Sequence, residues 1–181
     1  TNDAYAIAKI AGIKMCESYN IQYKTNYKCL MPTNTFGPND NYDALNSHFL
    51  PALIKKVHDL KLNNKKELIL WGNGLAKREV IYVDDIADAC IFFMKKNFFG
   101  TILNIGTGKD FLIKQYAKII LNKIIPKNKI KIKYDLSKPN GTPRKVLDIK
   151  LANKYGWKPK TKLDEAITKT YKNFLENNKI V

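Results

Sequence analysis

The sequence has 181 residues, enough for one domain or a domain and a fraction, with the apolar and charged shares of a globular chain. It holds no run of about 18 apolar residues that could cross a membrane and no charged-then-apolar leader, which points to a soluble, cytoplasmic protein. The formal charge is +16, but 30 of the 32 basic residues are lysines spread along the whole length; clamping phosphates or reading bases favours arginine, so weak adhesion to polyanions is expected rather than specific nucleic-acid recognition.

Residues 4–20 read as a helix, with Ile7, Ile10, Ala11, Met15 and Tyr19 at three- and four-residue steps and Asp3 near the N-terminus. Tyr5 and Lys9 are four apart on it, which aims a phenol and an ammonium at one place. A cation beside a tyrosine favours the phenolate and brings a group of ordinary pKa about 10 toward proton exchange at neutral pH. The same spacing also describes an ordinary amphipathic helix with a solvated lysine above a tyrosine, and the pair alone leaves both readings open.

A short buried strand is predicted over 27–31. Pro32, Gly37 and Pro38 then break the chain into a loop too punctuated for a regular element. A polar loop after a strand is a frequent place for binding groups in α/β proteins. Asn46 or Ser47 is placed to cap a helix to about residue 62, with Phe49, Leu53, Val57 and Leu60 as its buried face. Strands are predicted over 67–71, 79–83, 102–105 and 129–134, with turns at the Gly-Asn-Gly of 72–74 and the Gly-Thr-Gly of 106–108. Asp84 and Asp85 mark the start of a helix reaching Lys96, and another is predicted from about 111 to 125. After a basic loop over 137–145 come helices near 150–155 and over 163–177, the latter with Ala166, Ile167, Tyr171 and Leu175 facing inward. His58 matches no motif and is expected at the surface. Cys16, Cys29 and Cys90 lack metal-type spacing and are odd in number, so neither a metal site nor a disulfide framework is expected and each reads as a small core residue. Strand and helix alternate as in an α/β protein. No Gly-x-Gly-x-x-Gly follows a strand, so nothing here cradles a pyrophosphate in the usual way.

Several stretches together carry a more specific signal. They are Tyr-Ala-Ile-Ala-Lys-Ile-Ala-Gly at 5–12, Met-Pro-Thr-Asn-Thr-Phe-Gly-Pro at 31–38, Asn-Ser-His at 46–48, Trp-Gly-Asn-Gly at 71–74, Arg-Glu-Val-Ile-Tyr-Val-Asp-Asp at 78–85 and Ser-Lys-Pro-Asn-Gly-Thr-Pro-Arg-Lys at 137–145. In order and spacing the chain resembles the C-terminal part of a member of the extended short-chain dehydrogenase/reductase group, and within it the GDP-L-fucose synthase family. The resemblance implies a truncated Rossmann-like α/β fold: residues 1–40 a remnant of the NADP-binding domain, 41–181 mainly a sugar-nucleotide domain, with segments near 76–105 returning to the first.

The same resemblance implies the roles. Tyr5 would donate a proton to the C4 oxygen of a keto sugar as hydride arrives from NADPH, and Lys9 would lower the tyrosine's pKa and hold the nicotinamide ribose. Pro32, Thr33, Asn34 and Thr35 would line the nicotinamide side with His48 beside them, and His48 would be the acid/base of an epimerisation at C3 and C5. Lys56, Trp71, Arg78 and Asn140 would meet a GDP-sugar, although the family pattern has an acidic residue where Asn140 stands. Arg144 and Lys145 fit a ligand or an interface equally well. The fragment is expected to be inactive alone, and its tyrosine helix, lacking a sheet to cover it, to pair in a homodimer. The alternatives are a related reductase or epimerase acting on, for example, a GDP-deoxy-heptose, and a basic polyanion-binding domain.

Overall fold

The computed structural model describes residues 3–43, 46–96, 98, 100–127 and 129–177. The first half runs α1 (Asp3–Tyr23), β1 (Cys29–Pro32), β2 (Asn34–Phe36), α2 (Phe49–Leu62), β3 (Glu67–Trp71), β4 (Lys77–Tyr82) and α3 (Val83–Lys95). The second runs β5 (Ile102–Ile105), β6 (Asp110–Leu112), α4 (Ile113–Ile124), β7 (Lys131–Asp135), β8 (Arg144–Lys145), α5 (Lys150–Lys154) and α6 (Leu163–Asn177). The α/β class read from the sequence is the class of the structure. β1 pairs β5 in parallel, with Cys29 opposite Ile102, and β3 pairs β7 in parallel. β4 is the centre of the remaining sheet, parallel to β2 and β8 and antiparallel to β6.

Two apolar cores flank β4, because side chains alternate across a strand. Val80 and Tyr82 join Leu50, Leu53, Ile54 and Val57 of α2, Ile120, Leu121 and Ile124 of α4, and Ala166 and Ile167 of α6. Ile81 joins the second core with Ala89, Phe93, Phe98, Leu103, Ile105, Ala152 and Trp157. Each large aliphatic side chain so buried contributes about 1.5–3 kcal/mol, which explains why α2 and α4 hold despite modest helix propensity. By contrast α1 has no buried residue, and Ile7, Ile10, Met15 and Tyr19 stay exposed. Among the described residues no helix is long and apolar enough to cross a membrane.

Several expectations are corrected. Asn34, Thr35 and Phe36 form β2 inside the segment expected to be irregular, because β4 offers an open edge beside it. Neither Asn46 nor Ser47 is the cap of α2: His48 takes that position without a side-chain cap bond, while the Asn46 backbone and amide donate to Asp43 Oδ1 at 2.8 and 3.0 Å. His58 is buried rather than at the surface, its Nδ1 3.0 Å from the Tyr171 hydroxyl and its ring edge-on to Phe174. In α6, Ala166 and Ile167 are buried and Tyr171 packs on the larger core as expected, but the last turn buries Phe174 and leaves Leu175 exposed, and Thr170 joins the buried face. Thr170 tolerates burial because its hydroxyl donates to the Ala166 carbonyl at 2.7 Å. No cysteine sits in a core: Cys16 and Cys29 are half-buried and Cys90 is exposed.

Candidate active site

The residues singled out in the sequence fall into two cavities that meet at Ser47 and His48. The first, about 760 Å³ and open, is lined by Tyr5, Pro32, Thr33, Asn34, Thr35 and His48, together with Lys145, Val146 and Leu147. The second, about 280 Å³, is lined by Lys56, Trp71, Arg78 and Asn140 over a floor that includes Phe49, Leu53, Leu70 and Ile113. Lys9 is outside the first lining: its Nζ sits 5.3 Å from the centroid of the Tyr5 ring, and both residues are exposed.

The first cavity owes its shape to Glu79, a buried residue of β4 that the sequence pattern showed only as part of a longer motif. Its backbone carbonyl accepts from Asn34 Nδ2 at 2.8 Å and Thr33 Oγ1 at 3.3 Å, which fixes the loop after β1. Its carboxylate turns the other way. Oε1 accepts from the Thr107 and Gly108 backbone N–H groups at 2.5 and 2.7 Å, and Oε2 accepts from the Leu147 N–H at 2.7 Å. A buried carboxylate is tolerated when backbone donors surround it in this way. Gly106 must lack a side chain here, since a Cβ would collide with the Glu79 carboxylate. One residue therefore holds three segments, two of which wall the cavity. Sequence reasoning missed this hub, although an acid within an apolar strand run was a usable signal.

The second cavity is cationic with an aromatic shelf. Lys56 Nζ and Lys138 Nζ approach the Trp71 ring to 5.1 and 5.7 Å from its centroid. Burial moves the Lys56 ammonium below its ordinary pKa and does the same to the Arg78 guanidinium. Arg78 Nη1 donates to the Lys77 and Thr142 carbonyls at 2.7 and 2.6 Å, which fixes the plane of the fork; among the described residues its Nε and Nη2 have no hydrogen-bond partner. Asn140 lines the pocket, but its Oδ1 accepts from the Asn73 N–H at 2.7 Å. Gly72, at φ +65°, admits that approach, because a Cβ there would collide with Asn140. Asn140 thus pins the turn that follows Trp71.

Arg144 and Lys145, undecided in the sequence, separate. Arg144 forks onto Asp110, with Nε 2.5 Å from Oδ2, and holds the Asp110 carboxyl below its usual pKa; it ties β8 to β6. Lys145 lines the first cavity.

The family model described as the NAD dependent epimerase/dehydratase family matches residues 1–106. The chain belongs to that family. A relative named probable GDP-L-fucose synthase 1, from Oryza sativa subsp. japonica, is 45% identical over 177 residues, 98% of this chain and 53% of its own length. The chain therefore spans about half the length of the curated relatives it matches. A solved structure of a GDP-L-fucose synthetase from Naegleria fowleri bound to NADP is 25% identical, covers 100% of this chain and 58% of its own, and superposes with a TM-score of 0.87. Another, a GDP-mannoheptose C4 reductase from Campylobacter jejuni with NADP bound, is 33% identical, covers 96% of this chain and 57% of its own, and gives a TM-score of 0.81. The family places the α/β arrangement as the Rossmann-like fold of these epimerases and dehydratases, of which this chain holds a part.

Proposed function

We propose that this chain carries the proton-donor helix and the sugar-nucleotide pocket of an NADPH-dependent epimerase/reductase converting GDP-4-keto-6-deoxy-D-mannose to GDP-L-fucose. The observation that carries the reading is the sorting of its motif residues into two adjoining cavities, acid/base groups in one and phosphate- and base-binding groups in the other. The relatives' names support it, as does the Arg78 fork left open beside a tryptophan shelf. In this reading the dinucleotide side comprises α1, β1, β5 and α3, and the sugar-nucleotide side is built on the larger core.

The open cavity fits the nicotinamide end of the cofactor: Thr33 and Asn34 are already engaged by Glu79, so the loop offers a fixed wall rather than a mobile one. Tyr5, Lys9, Pro32, Thr33, Asn34, Thr35 and His48 would hold that end. When bound, NADPH supplies the hydride. Tyr5 gives its hydroxyl proton to the C4 oxygen, with the Lys9 ammonium placed over its ring. His48, exposed at the start of α2, exchanges a proton at the carbons beside the keto group. Lys56 neutralises phosphate charge, Arg78 forks onto it, and Trp71 packs on the base or sugar. α1 pairs with a second copy of the chain through its exposed apolar face.

Calorimetric titration with GDP, GDP-mannose and UDP-sugars at near-physiological salt tests the pocket. GDP-selective binding that Arg78→Ala removes supports the reading; equal binding of guanine and uracil nucleotides overturns it. A second reading, reduction at C4 of a GDP-heptose without epimerisation, is favoured by the Campylobacter jejuni neighbour. Product stereochemistry by NMR, from NADPH and the keto sugar, separates the two.

A further inference from the structure

Cys16 and Cys29 lie outside both cavities and have no part in the chemistry above. The fold sets them against each other. Asn20 of α1 clamps the backbone of Tyr27: its Oδ1 accepts from the Tyr27 N–H at 2.7 Å and its Nδ2 donates to the Tyr27 carbonyl at 2.9 Å. The Tyr19 and Tyr27 rings meet beside this clamp, with centroids 6.0 Å apart. Cys16 is one helical turn before Asn20, on the half-buried line Gly12, Ile13, Cys16, Glu17 and Asn20 that faces the strand.

Beyond Tyr27 the side chains alternate. Lys28 reaches away from α1, its Nζ donating to the Phe98 and Gly100 carbonyls at 2.7 Å each, and Leu30 packs into the second core. Cys29 is therefore returned to the side of Tyr27, toward α1. The two spans also match in length, since four helical residues advance about 6 Å and two extended residues about 6.6 Å. The Cys29 thiol is pushed up first by burial and then by the Cys16 thiol beside it, in keeping with this placement.

We propose that Cys16 and Cys29 are a modification site, a dithiol that closes to an intramolecular disulfide under oxidising conditions and fastens the helix bearing Tyr5 and Lys9 to β1. A low-molecular-weight disulfide such as oxidised glutathione is the oxidant. The Cys16 thiol, after losing its proton, attacks one sulfur of the oxidant; a protein–glutathione disulfide forms and a glutathione thiolate leaves. The Cys29 thiol then loses its proton and attacks the Cys16 sulfur, forming the Cys16–Cys29 bond and releasing the second glutathione. Two protein thiols are oxidised and one glutathione disulfide is reduced to two thiols. β1 ends at the loop that walls the first cavity, so the bridge sets the pose of the Tyr5 helix against that wall.

Treatment of the full chain with a graded series of oxidised glutathione, read by thiol titration, intact mass and peptide mapping, tests this. Of the 3 cysteines, two thiols are expected to disappear from a monomeric species about 2 Da lighter, with the 16 and 29 peptides joined. Cys90→Ser keeps the pairing, whereas Cys16→Ser and Cys29→Ser each abolish it and yield only glutathione adducts. Three thiols that stay free, adducts on each cysteine without a joined peptide, a link to Cys90, or a link between chains would each overturn the proposal.

Discussion

The two cavities differ in what stands behind them. The Trp71 cavity rests on Phe49, Leu53, Leu70 and Ile113, residues of or packed on the larger core, so its shape is set by the same burial that stabilises the chain. The Tyr5 cavity has on one side a helix without a buried residue. The contrast separates a cavity whose floor is held by the core of this chain from one whose edge is an exposed helix.

The largest expected effect comes from removing the residue that holds the walls of the Tyr5 cavity. Glu79→Ala strands three backbone N–H groups and leaves a void, so chemical denaturation should show a loss of about 3–5 kcal/mol, with the Tyr5 cavity loosened. Next, Tyr5→Phe should lower NADPH oxidation by the catalytically competent protein about 10²- to 10⁴-fold while leaving the denaturation midpoint and GDP binding in place; an equal loss of nucleotide binding would break the division. Arg78→Lys keeps the charge but not the fork, and titration should find GDP-sugar affinity down roughly tenfold. The smallest effect is thermal. Burial depresses the pKa of His58 from 6.5, so the unfolded chain binds the extra proton first. Stability is therefore full above pH 6.5 and is lost as the pH falls toward the depressed value, and His58→Gln should flatten that slope in thermal melts followed across pH.

Long, periodic or strongly punctuated segments were legible in the sequence: β3 and α6 begin and end where the pattern put them. What escaped was set by tertiary partners. β2, β6 and β8, of three, three and two residues, carry too little pattern of their own and exist because β4 lends them an edge. His58 looked like a surface residue because nothing near it in sequence announces Tyr171 and Phe174, which arrive from α6. The candidate site residues were found through motifs, and their grouping into two cavities came from the fold. Glu79 stood out as an acid in an apolar strand run, but its partners are backbone donors, which have no signature in sequence.

Arg78 and Glu79 are consecutive, and the pleat of β4 sends the first toward the larger core and the second toward the 106–108 turn. A slip of β4 by one residue would exchange them, driving a guanidinium into a nest of N–H donors and turning a carboxylate toward a pocket lined with lysine and tryptophan. The first misplacement would bury a cation against donors it cannot pair with and leave those N–H groups without their carboxylate, so this dipeptide works as a registration mark that penalises mispairing of the sheet. The residue proposed to hold phosphate thus also helps to ensure that the chain can fold in only one alignment.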